Sequence, residues 1–392
     1  MSPSPSPHDL LHYLTVALSG VASRFTRARR WSPRSVIVAV MLLTRPDVRS
    51  SYATVLTDLA QDACRALGVM AVVSTSSLSV ARRKVSVETF RTVLHQLVDH
   101  LGSLLPGDYG HHRDRRFFAV DATSLVCPRT RETLSRLECP KWNPWLCAHY
   151  PRALVVVAFD VVRRLPLEWV LLKKGTGERA AAEPLLKRLR RGDVMLMDRG
   201  YPARWLLALF VDHGVDVVMR MTAAKAGAWP EVKKFLASSA KTAVIDCMLD
   251  KKRTVPVRLI RRPAPRGRPL KHQKRDTMVI LTTLLPKHGF EAKDIIDLYG
   301  KRWGIETLFR EIKEAFGIER FHARTVDGIQ QEIATVLMWI ALTSAIHATV
   351  QAGLTDGKRA NRTVSREIAR ICLTRALDGQ NTDKLDAMIT QA

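Results

Sequence analysis

Four polar side chains with a regular spacing stand out in the stretch YGKRWGIETLFREIK, residues 299–313. If this stretch is one helix, at about 100° per residue, the four share an arc of about 60°: Tyr299, Arg302, Glu306 and Lys313. One carboxylate then lies among two cations and a phenol, beside an apolar stripe that the helix can bury. We expect such a helix to hold its carboxylate rigidly at the edge of a core.

Two further carboxylates lie at positions in predicted strands where acidic residues are unusual. Asp121 follows the apolar run 117–120, and Asp198 ends a short buried strand in the phrase LMDRGYP. Aspartate is rare inside sheets unless it is paired or binds a cation. The competing interpretation is a turn or a helix cap, which suits Asp198 better than Asp121. Asp160, in the following strand, is the alternative to Asp121.

Three carboxylates from separate elements suit a site that binds divalent metal through oxygen ligands. Magnesium favours such ligands because a hard cation takes carboxylate, water and phosphate oxygens, and Mn²⁺ can substitute for it. Two Mg²⁺ ions about 4 Å apart can activate a water or a 3′-hydroxyl and stabilise the leaving oxygen of a phosphodiester. The arginine and lysine around Glu306 would then hold the phosphates.

The net charge points to a polyanionic partner. The chain has 392 residues, and 62 basic against 37 acidic residues give it a formal charge of +25. So many cations repel one another unless phosphates neutralise some of them, and nucleic acid is the first candidate. An anionic membrane surface is the rival, but we find no run of about 18 apolar residues and no signal peptide. We therefore expect an intracellular protein with no membrane partner.

The six cysteines are scattered, and none forms a C-x2-C pair. Free thiols in a reducing compartment are the simplest interpretation. Cys139, Cys147 and His149 lie close in sequence, but their spacing fits no common zinc pattern.

Two basic segments are candidates for the DNA contacts. Helical periodicity over residues 9–105 predicts a small all-helical domain, in which a short helix carrying Arg82 and Arg83 precedes a longer helix that begins after Ser86. A basic helical pair of this kind can bind DNA, although a solvated basic face is an equally good interpretation. The second segment, residues 258–275, has eight basic residues, three prolines and no acid, and includes Arg261, Arg262, Arg266 and Arg268. We expect it to become ordered mainly on a polyanion.

Between these segments the hydrophobic periodicity of the sequence predicts a mixed α/β sheet. Three successive strands, 116–126, 153–162 and 165–172, are followed by a helix over 178–191, a strand over 193–197, a helix over 202–213 and a strand over 215–221. This order resembles the core of the ribonuclease H-like fold. We predict a catalytic core of 113–221 plus 292–325 with a five-stranded sheet, a β-rich insertion domain at 222–291, an N-terminal helical DNA-binding domain at 1–112 and a helical C-terminal region at 326–392 that completes the core or dimerises.

These residues resemble a known signature. Tyr299, Arg302, Glu306 and Lys313 match the Y-x2-R-x3-E-x6-K motif of the IS4-family DDE transposases, within the usual RW-x-IE context. The phrases VDATSL around Asp121 and LMDRGY around Asp198 are similar to the phrases that surround the family's two aspartates. The resemblance covers about residues 116–322.

The resemblance implies a metal-binding catalytic triad of Asp121, Asp198 and Glu306. It also implies phosphate contacts by Tyr299, Arg302 and Lys313, and a role for Trp303 in positioning the transposon end. Arg199 is a phosphate contact on charge grounds only. Family members act as dimers on terminal inverted repeats, cut the donor DNA by metal-dependent hydrolysis and join the 3′-hydroxyl to target DNA, which places this protein on the nucleoid in a bacterial cytoplasm.

Two other functions stay open at this point. One is a structure-specific nuclease of ribonuclease H-like fold that performs no strand transfer. The other is a DNA-binding derivative of a transposase that has lost catalysis, against which the intact triad argues. The hairpin route of excision is a further open question, since Trp229 is the only tryptophan in the expected insertion.

Overall fold

An eight-stranded mixed sheet forms the centre of the computed structural model, which describes residues 7–21, 31–59, 74–105, 115–140, 148–222, 228–263, 277–354 and 358–377. The alternation of apolar residues that predicted the strands places successive side chains on opposite faces of the sheet. The strands are β1 Phe117–Val126, β2 Arg152–Asp160, β3 Leu165–Leu171, β4 Val194–Met197, β5 Asp216–Met221, β6 Thr242–Met248, β7 Thr254–Pro263 and β8 Thr277–Thr282.

The strand order is β3-β2-β1-β4-β5-β8-β7-β6. β1, β2 and β3 are antiparallel, whereas β4 and β5 run parallel to β1. The sequence predicted the directions of these five strands, but the prediction that the sheet has five strands is wrong. β8 pairs antiparallel with β5, and β7 and β6 follow, so the three strands of the expected insertion extend the core sheet itself.

The basic segment leaves this sheet from a defined edge. Pro263 pairs with Thr277 at the end of the β7–β8 ladder, and the residues between them lie outside the described ranges. Because β8 is antiparallel to β5, Met221 at the end of β5 pairs with Val279 near the start of β8. Both ends of the basic segment therefore attach at the edge of the sheet where β4 and β5 end.

Helices cover both faces of the sheet. One face carries the core with Phe117, Val194 and the helices of the N- and C-terminal regions, and the other carries the core with Phe118, Met195 and the helices that connect β3, β4, β5 and β6. The helices are α1 Pro7–Ser19, α2 Pro33–Leu43, α3 Tyr52–Leu59, α4 Thr75–Arg82, α5 Val87–Leu104, α6 Arg131–Arg136, α7 Ala182–Leu186, α8 Arg204–Asp212, α9 Pro230–Ala237, α10 Ala292–Gly300, α11 Trp303–Glu314, α12 Val326–Gly353 and α13 Arg362–Leu377.

The longest helix, α12, is the centre of the helical layer. By length and composition this helix could cross a membrane, so the expectation that the sequence holds no such apolar run is wrong. However, 83% of its most apolar window is buried within the protein. Its Trp339 donates a hydrogen bond to the carbonyl of Met41 in α2, at 2.9 Å, so α12 is a core helix that packs on the N-terminal helices.

The structure corrects the prediction that Arg82 contacts DNA. Arg82 is only 4% exposed, because its guanidinium joins α4 to α12. It lies 2.9 Å from Glu332 and donates to Gln331 and to the carbonyl of Gly328 at 2.7 and 2.6 Å. Every terminal nitrogen of Arg82 is thus used inside the protein. Arg83, the next residue, is exposed and stays a predicted DNA contact.

Candidate active site

Asp121 and Asp198 lie on neighbouring parallel strands and at the same level. Phe117 pairs with Val194 and Ala119 pairs with Leu196, and each aspartate lies two residues beyond this last pair. Side chains two residues apart share a face of a strand, so Asp121 lies on the face of Phe117 and Asp198 on the face of Val194. Because those two residues belong to the same core, both carboxylates lie on the same face, roughly 5 Å apart between backbones.

The second aspartate is held by its own loop. The Oδ1 atom of Asp198 accepts a hydrogen bond from the amide of Gly200 at 2.8 Å. A Cβ atom on Gly200 would come within 3.1 Å of that oxygen, which explains the glycine of the DRGY phrase. Arg179 donates to the carbonyl of Gly200 from Nε and Nη2, at 3.0 and 2.7 Å, and so fixes the loop from outside.

Glu306 approaches this face from above, on α11. The apolar residues Ile305, Leu308 and Ile312 of that helix are buried in the core that includes Phe117. The single helix predicted for residues 299–313 is wrong, because α10 ends at Gly300 and α11 begins at Trp303. At the junction the amides of Lys301 and Arg302 bond three residues back, which forms a tight turn between the helices. The chain can bend here because Gly300 and Gly304 weaken the helix on both sides.

Arg302 lies in this turn and joins two of the three carboxylates. Its Nη1 is 3.1 Å from Oδ2 of Asp121, and its Nη2 is 2.6 Å from Oε1 of Glu306. Arg302 is 8% exposed, and its Nε is buried without a hydrogen-bond partner among the described residues. The residue that the resemblance assigns to a phosphate is here bonded to the site's own acids.

Burial and like charges act together on the first aspartate. Burial raises the pKa of Asp121, and repulsion from Asp198 and Glu306 raises it further, while the Ala122 amide and Arg302 lower it. The net pKa is above the usual range for an aspartate. A carboxylate in this state gains from any cation that comes near it.

Two residues of the site were missed from the sequence because their signals are weak. Glu178 begins a short 3-10 helix, Glu178–Ala181, where we predicted a regular helix, and burial and the charges of Asp121 and Asp198 raise its pKa. Tyr201 is buried beside Glu178, and burial raises the pKa of its phenol. Neither residue lies in a strand or in the signature helix, so only the fold places them here.

Arg220 is a third residue that the sequence analysis missed. Met197 of β4 pairs with Met219 of β5, so Arg220 is level with Asp198 on the next strand. It pairs with Ile280, which belongs to the same core as Phe117, and so Arg220 shares the face of the two aspartates. A row of two acids and one cation therefore runs from the middle of β1 to the ends of β4 and β5.

The donor set of this site fits a hard divalent cation. Carboxylate oxygens converge from β1, from the loop after β4 and from α11, and such oxygens are the ligands that magnesium and manganese prefer. Among the described residues, however, no group of three His, Cys, Asp or Glu side chains is positioned to hold a metal ion. At this site the facing oxygens of Asp121 and Glu306 are bonded to Arg302. A cation that bridged them would have to take these oxygens from the arginine.

The other residues of the signature surround the carboxylates with different exposures. Tyr299, at the end of α10, is buried, and burial raises the pKa of its phenol. Trp303 is 63% exposed at the start of α11. Lys313 is half-buried near the end of α11, and Arg199 is exposed beside Asp198. These positions leave Trp303 and Arg199 open to a macromolecular partner.

The basic segment divides between the two faces of the sheet. Arg261 is bonded internally, since its Nη2 donates to the carbonyls of Phe235 and Ser238 at 2.7 and 2.9 Å. This contradicts its predicted role as a DNA contact. Arg262 pairs with Met278 and so lies on the face of the carboxylates. Arg266 and Arg268 fall outside the residues that the structure describes.

Asp160, the alternative to Asp121, has a structural role. Its Oδ1 accepts hydrogen bonds from the amides of Val162 and Arg163, at 2.9 and 2.8 Å, and so closes the turn between β2 and β3. It pairs with Phe118 and therefore lies on the other face of the sheet, at the opposite end from Asp198. Asp160 cannot join the other carboxylates from there.

Comparisons with known proteins identify the family of this chain. The family model described as the transposase DDE domain matches residues 112–342, a range that includes all three carboxylates. A search among curated proteins found no match. Among solved structures, the chain is similar to a piggyBac transposase synaptic complex with hairpin DNA, at 11% identity and a TM-score of 0.47, over 98% of this chain and 84% of that chain. Because the family model spans more than half of the sequence, this protein belongs to the family of transposases with a DDE domain.

Proposed function

We propose that this transposase is of the IS4 type and moves its own insertion sequence. It would bind the terminal inverted repeats, cleave the donor DNA by metal-dependent hydrolysis and join the 3′-hydroxyl ends to target DNA. The observation that carries this proposal is the level placement of Asp121 and Asp198 under Glu306. Such a set of carboxylates on one face of a sheet suits phosphodiester chemistry.

Asp121, Asp198 and Glu306 would hold the catalytic cations, which we propose to be two Mg²⁺ ions that Mn²⁺ can replace. When bound, the ions would lower the pKa of the attacking water or 3′-hydroxyl and neutralise charge on the phosphate. The protein contributes rigidity, because β1 and β4 are held in the sheet and the α11 helix packs on the core. Glu178 lies close enough to be repelled by both aspartates and would also gain from the bound cations.

Cations and an aromatic side chain around the triad would hold the DNA. Arg220 is level with Asp198 and shares its face, so we assign it a phosphate next to the cleaved bond. Tyr299, Lys313 and Arg199 would contact phosphates on either side, and the exposed Trp303 would pack against a base at the distorted transposon end. A chain with a net charge of +25 gains affinity for DNA at every such contact.

More distant basic residues would extend this surface. We assign further phosphates to Arg83 and to the basic segment with Arg262, Arg266 and Arg268. The sheet order, three antiparallel strands next to two parallel ones, supports a ribonuclease H-like core, and we propose residues 1–112 as a DNA-binding region. We propose that two copies act together on the DNA and that the protein works in the bacterial cytoplasm on the nucleoid.

The test is a cleavage assay on DNA that carries the inverted repeats flanking the gene. With Mg²⁺ or Mn²⁺ the protein should release 3′-hydroxyl ends and join them to a second DNA. Glu306→Gln should abolish both steps, whereas Asp160→Asn, a change of the same type on the other face, should spare the chemistry in folded protein. Cleavage that survives Glu306→Gln would refute the triad.

The same assay separates the alternative functions. Nicking without joining, with no preference for the repeats, would favour a structure-specific nuclease. Specific binding without cleavage in either metal would favour a derivative that has lost catalysis.

A further inference from the structure

Arg302 uses the same carboxylate oxygens that a catalytic cation would need. Its two terminal nitrogens bond to Oδ2 of Asp121 and to Oε1 of Glu306, which lie on different elements. The guanidinium is therefore the positive charge that holds the strand carboxylate and the helix carboxylate together. Hydrogen bonds between ions of opposite charge are about twice as strong as neutral ones, so this bridge is a substantial competitor.

The electrostatics explain why the site needs such a charge. Asp121 is repelled by Asp198 and Glu306, and Glu178 is repelled by both aspartates. Four acids that face one another in a partly buried place are costly unless a cation lies among them. Among the described residues, Arg302 is the cation that bonds directly to two of the three triad members.

The location of Arg302 allows its side chain to leave. It lies in the turn between α10 and α11 rather than within a helix, its Nε has no hydrogen-bond partner among the described residues, and its guanidinium lies 6.0 Å from the centre of the Tyr299 ring. Two hydrogen bonds from its terminal nitrogens, one to each carboxylate, therefore account for its attachment to the acids. A guanidinium freed from both would remain close to the site, where a phosphate of bound DNA is the natural new partner.

We propose that Arg302 is an internal counter-ion that competes with the divalent cation for Asp121 and Glu306. The cation binds only as the guanidinium gives up these oxygens, and the arginine then turns to a DNA phosphate. Loading of the metal is thereby coupled to the arrival of DNA. This inference rests on the proposed function, because it takes the three carboxylates to be the metal site.

The experiment measures Mn²⁺ binding without DNA, by titration calorimetry and by the electron paramagnetic resonance of the free ion. Arg302→Gln removes the competing charge, so it should bind Mn²⁺ at least about tenfold more tightly than the original protein. Arg302→Lys keeps the charge and should bind close to the original affinity. Arg199→Gln, which removes an exposed arginine beside Asp198, should raise the affinity far less, since Arg199 bonds to none of the acids.

Two controls separate the possible failures. Thermal unfolding in EDTA should show Arg302→Gln folded but less stable, and Mn²⁺ should raise its Tm more than that of the original protein. An equal or weaker Mn²⁺ affinity in folded Arg302→Gln would overturn the competition while leaving the metal site intact. If Asp121→Asn binds Mn²⁺ as tightly as the original protein, the metal site itself is wrong, and both proposals fall.

Discussion

Asp121, within β1, and Asp198, directly after the parallel strand β4, lie at the same level on one face of the sheet. The register of β1 on β4 produces this pair, since Phe117 pairs with Val194 and Ala119 with Leu196, and each aspartate follows two residues after the last of these pairs. A slip of one residue in either strand would turn one carboxylate to the opposite face of the sheet. The placement of the two carboxylates therefore depends on the hydrogen bonding between β1 and β4.

Replacing Asp198 by asparagine should abolish cleavage and slightly stabilise the protein without metal. The change removes a negative charge next to Asp121, and we expect a gain of about 1 kcal/mol in the free energy of unfolding in EDTA. Mn²⁺ should then raise the Tm of the original protein but not that of the variant. Urea unfolding with and without Mn²⁺ measures both effects.

Asp160→Asn serves as the control for that prediction. Asp160 accepts backbone hydrogen bonds in a turn and repels no other acid of the site, so the variant should lose about 1–3 kcal/mol of stability. It should keep its response to Mn²⁺. Equal behaviour of the two variants would contradict the placement of Asp198 in the charged cluster.

Arg82→Met should strongly destabilise the protein. The change leaves Glu332 buried without its main partner, which costs about 3–5 kcal/mol in comparable buried pairs. Arg83→Met, at the adjacent exposed position, should change the stability by less than about 0.5 kcal/mol. Denaturant unfolding compares the two. Similar small losses for both would mean that α4 does not depend on α12 in solution.

Stability should fall as the pH rises through the pKa of His322. Burial lowers this pKa, but the Glu332 carboxylate, 3.5 Å from Nδ1, and the Ser50 carbonyl, which accepts a hydrogen bond from Nε2, outweigh both burial and Arg82, so the folded pKa lies above 6.5. A raised pKa in the folded state gives stability that is complete below about pH 6.5 and is lost above it. His322→Gln should flatten this part of the curve of unfolding free energy against pH. An unchanged curve would show that His322 is not protonated in the folded protein.

The basic segment should set the salt dependence of DNA binding. Changing Arg262, Arg266 and Arg268 to glutamine should lower the slope of log affinity against log salt by about 0.9 for each phosphate that the protein no longer binds. The matched control changes three exposed cations at the opposite end of β7, in the turn between β6 and β7: Lys251, Lys252 and Arg253. Filter binding at several salt concentrations gives both slopes. Equal slopes for the two triple variants would remove the segment from the DNA interface.

Trp303→Ala should weaken binding to the transposon end without affecting the fold. Stacking of a base on an aromatic ring is worth about 1–3 kcal/mol, and Trp303 is 63% exposed, so little packing is lost. Trp205→Ala, on the helix α8 beneath the other face, removes a comparably exposed tryptophan and should leave the affinity unchanged. Binding to DNA with and without the terminal repeat distinguishes the two. Equal losses would indicate a nonspecific effect.

The sequence was sufficient for the features that depend on local pattern. The pattern of apolar residues predicted β1 to β5, and the strand positions of Asp121 and Asp198 followed from that pattern together with the turn residues after Met197. The parallel register that brings the two together could be expected only once a fold was assumed. The pattern of residues 299–313 predicted Glu306 as a site residue, and the structure places its carboxylate on Arg302, which also bonds to Asp121.

What the sequence could not provide depends on distant partners. Arg82 sits in a polar-looking helix, and its burial follows from Glu332 far along the chain. Arg261 and Arg262 are adjacent, yet their side chains lie on opposite faces of the sheet. Arg261 lies on the side of α9, and Arg262 lies on the face of the carboxylates. The break at Lys301 has no proline to announce it, and the pairing of β8 with β5 has no local signal.

The basic segment and the carboxylates belong to one continuous ladder of backbone hydrogen bonds. From Asp198 the ladder crosses β5 and β8 to Pro263 and Thr277, where the segment is attached. A sheet resists shear between neighbouring strands, so these anchor points keep a fixed distance from the acids, roughly 5 Å for each strand crossed. In the function that we propose, the sheet would therefore set how far along a DNA strand the cut falls from the phosphates that the segment binds.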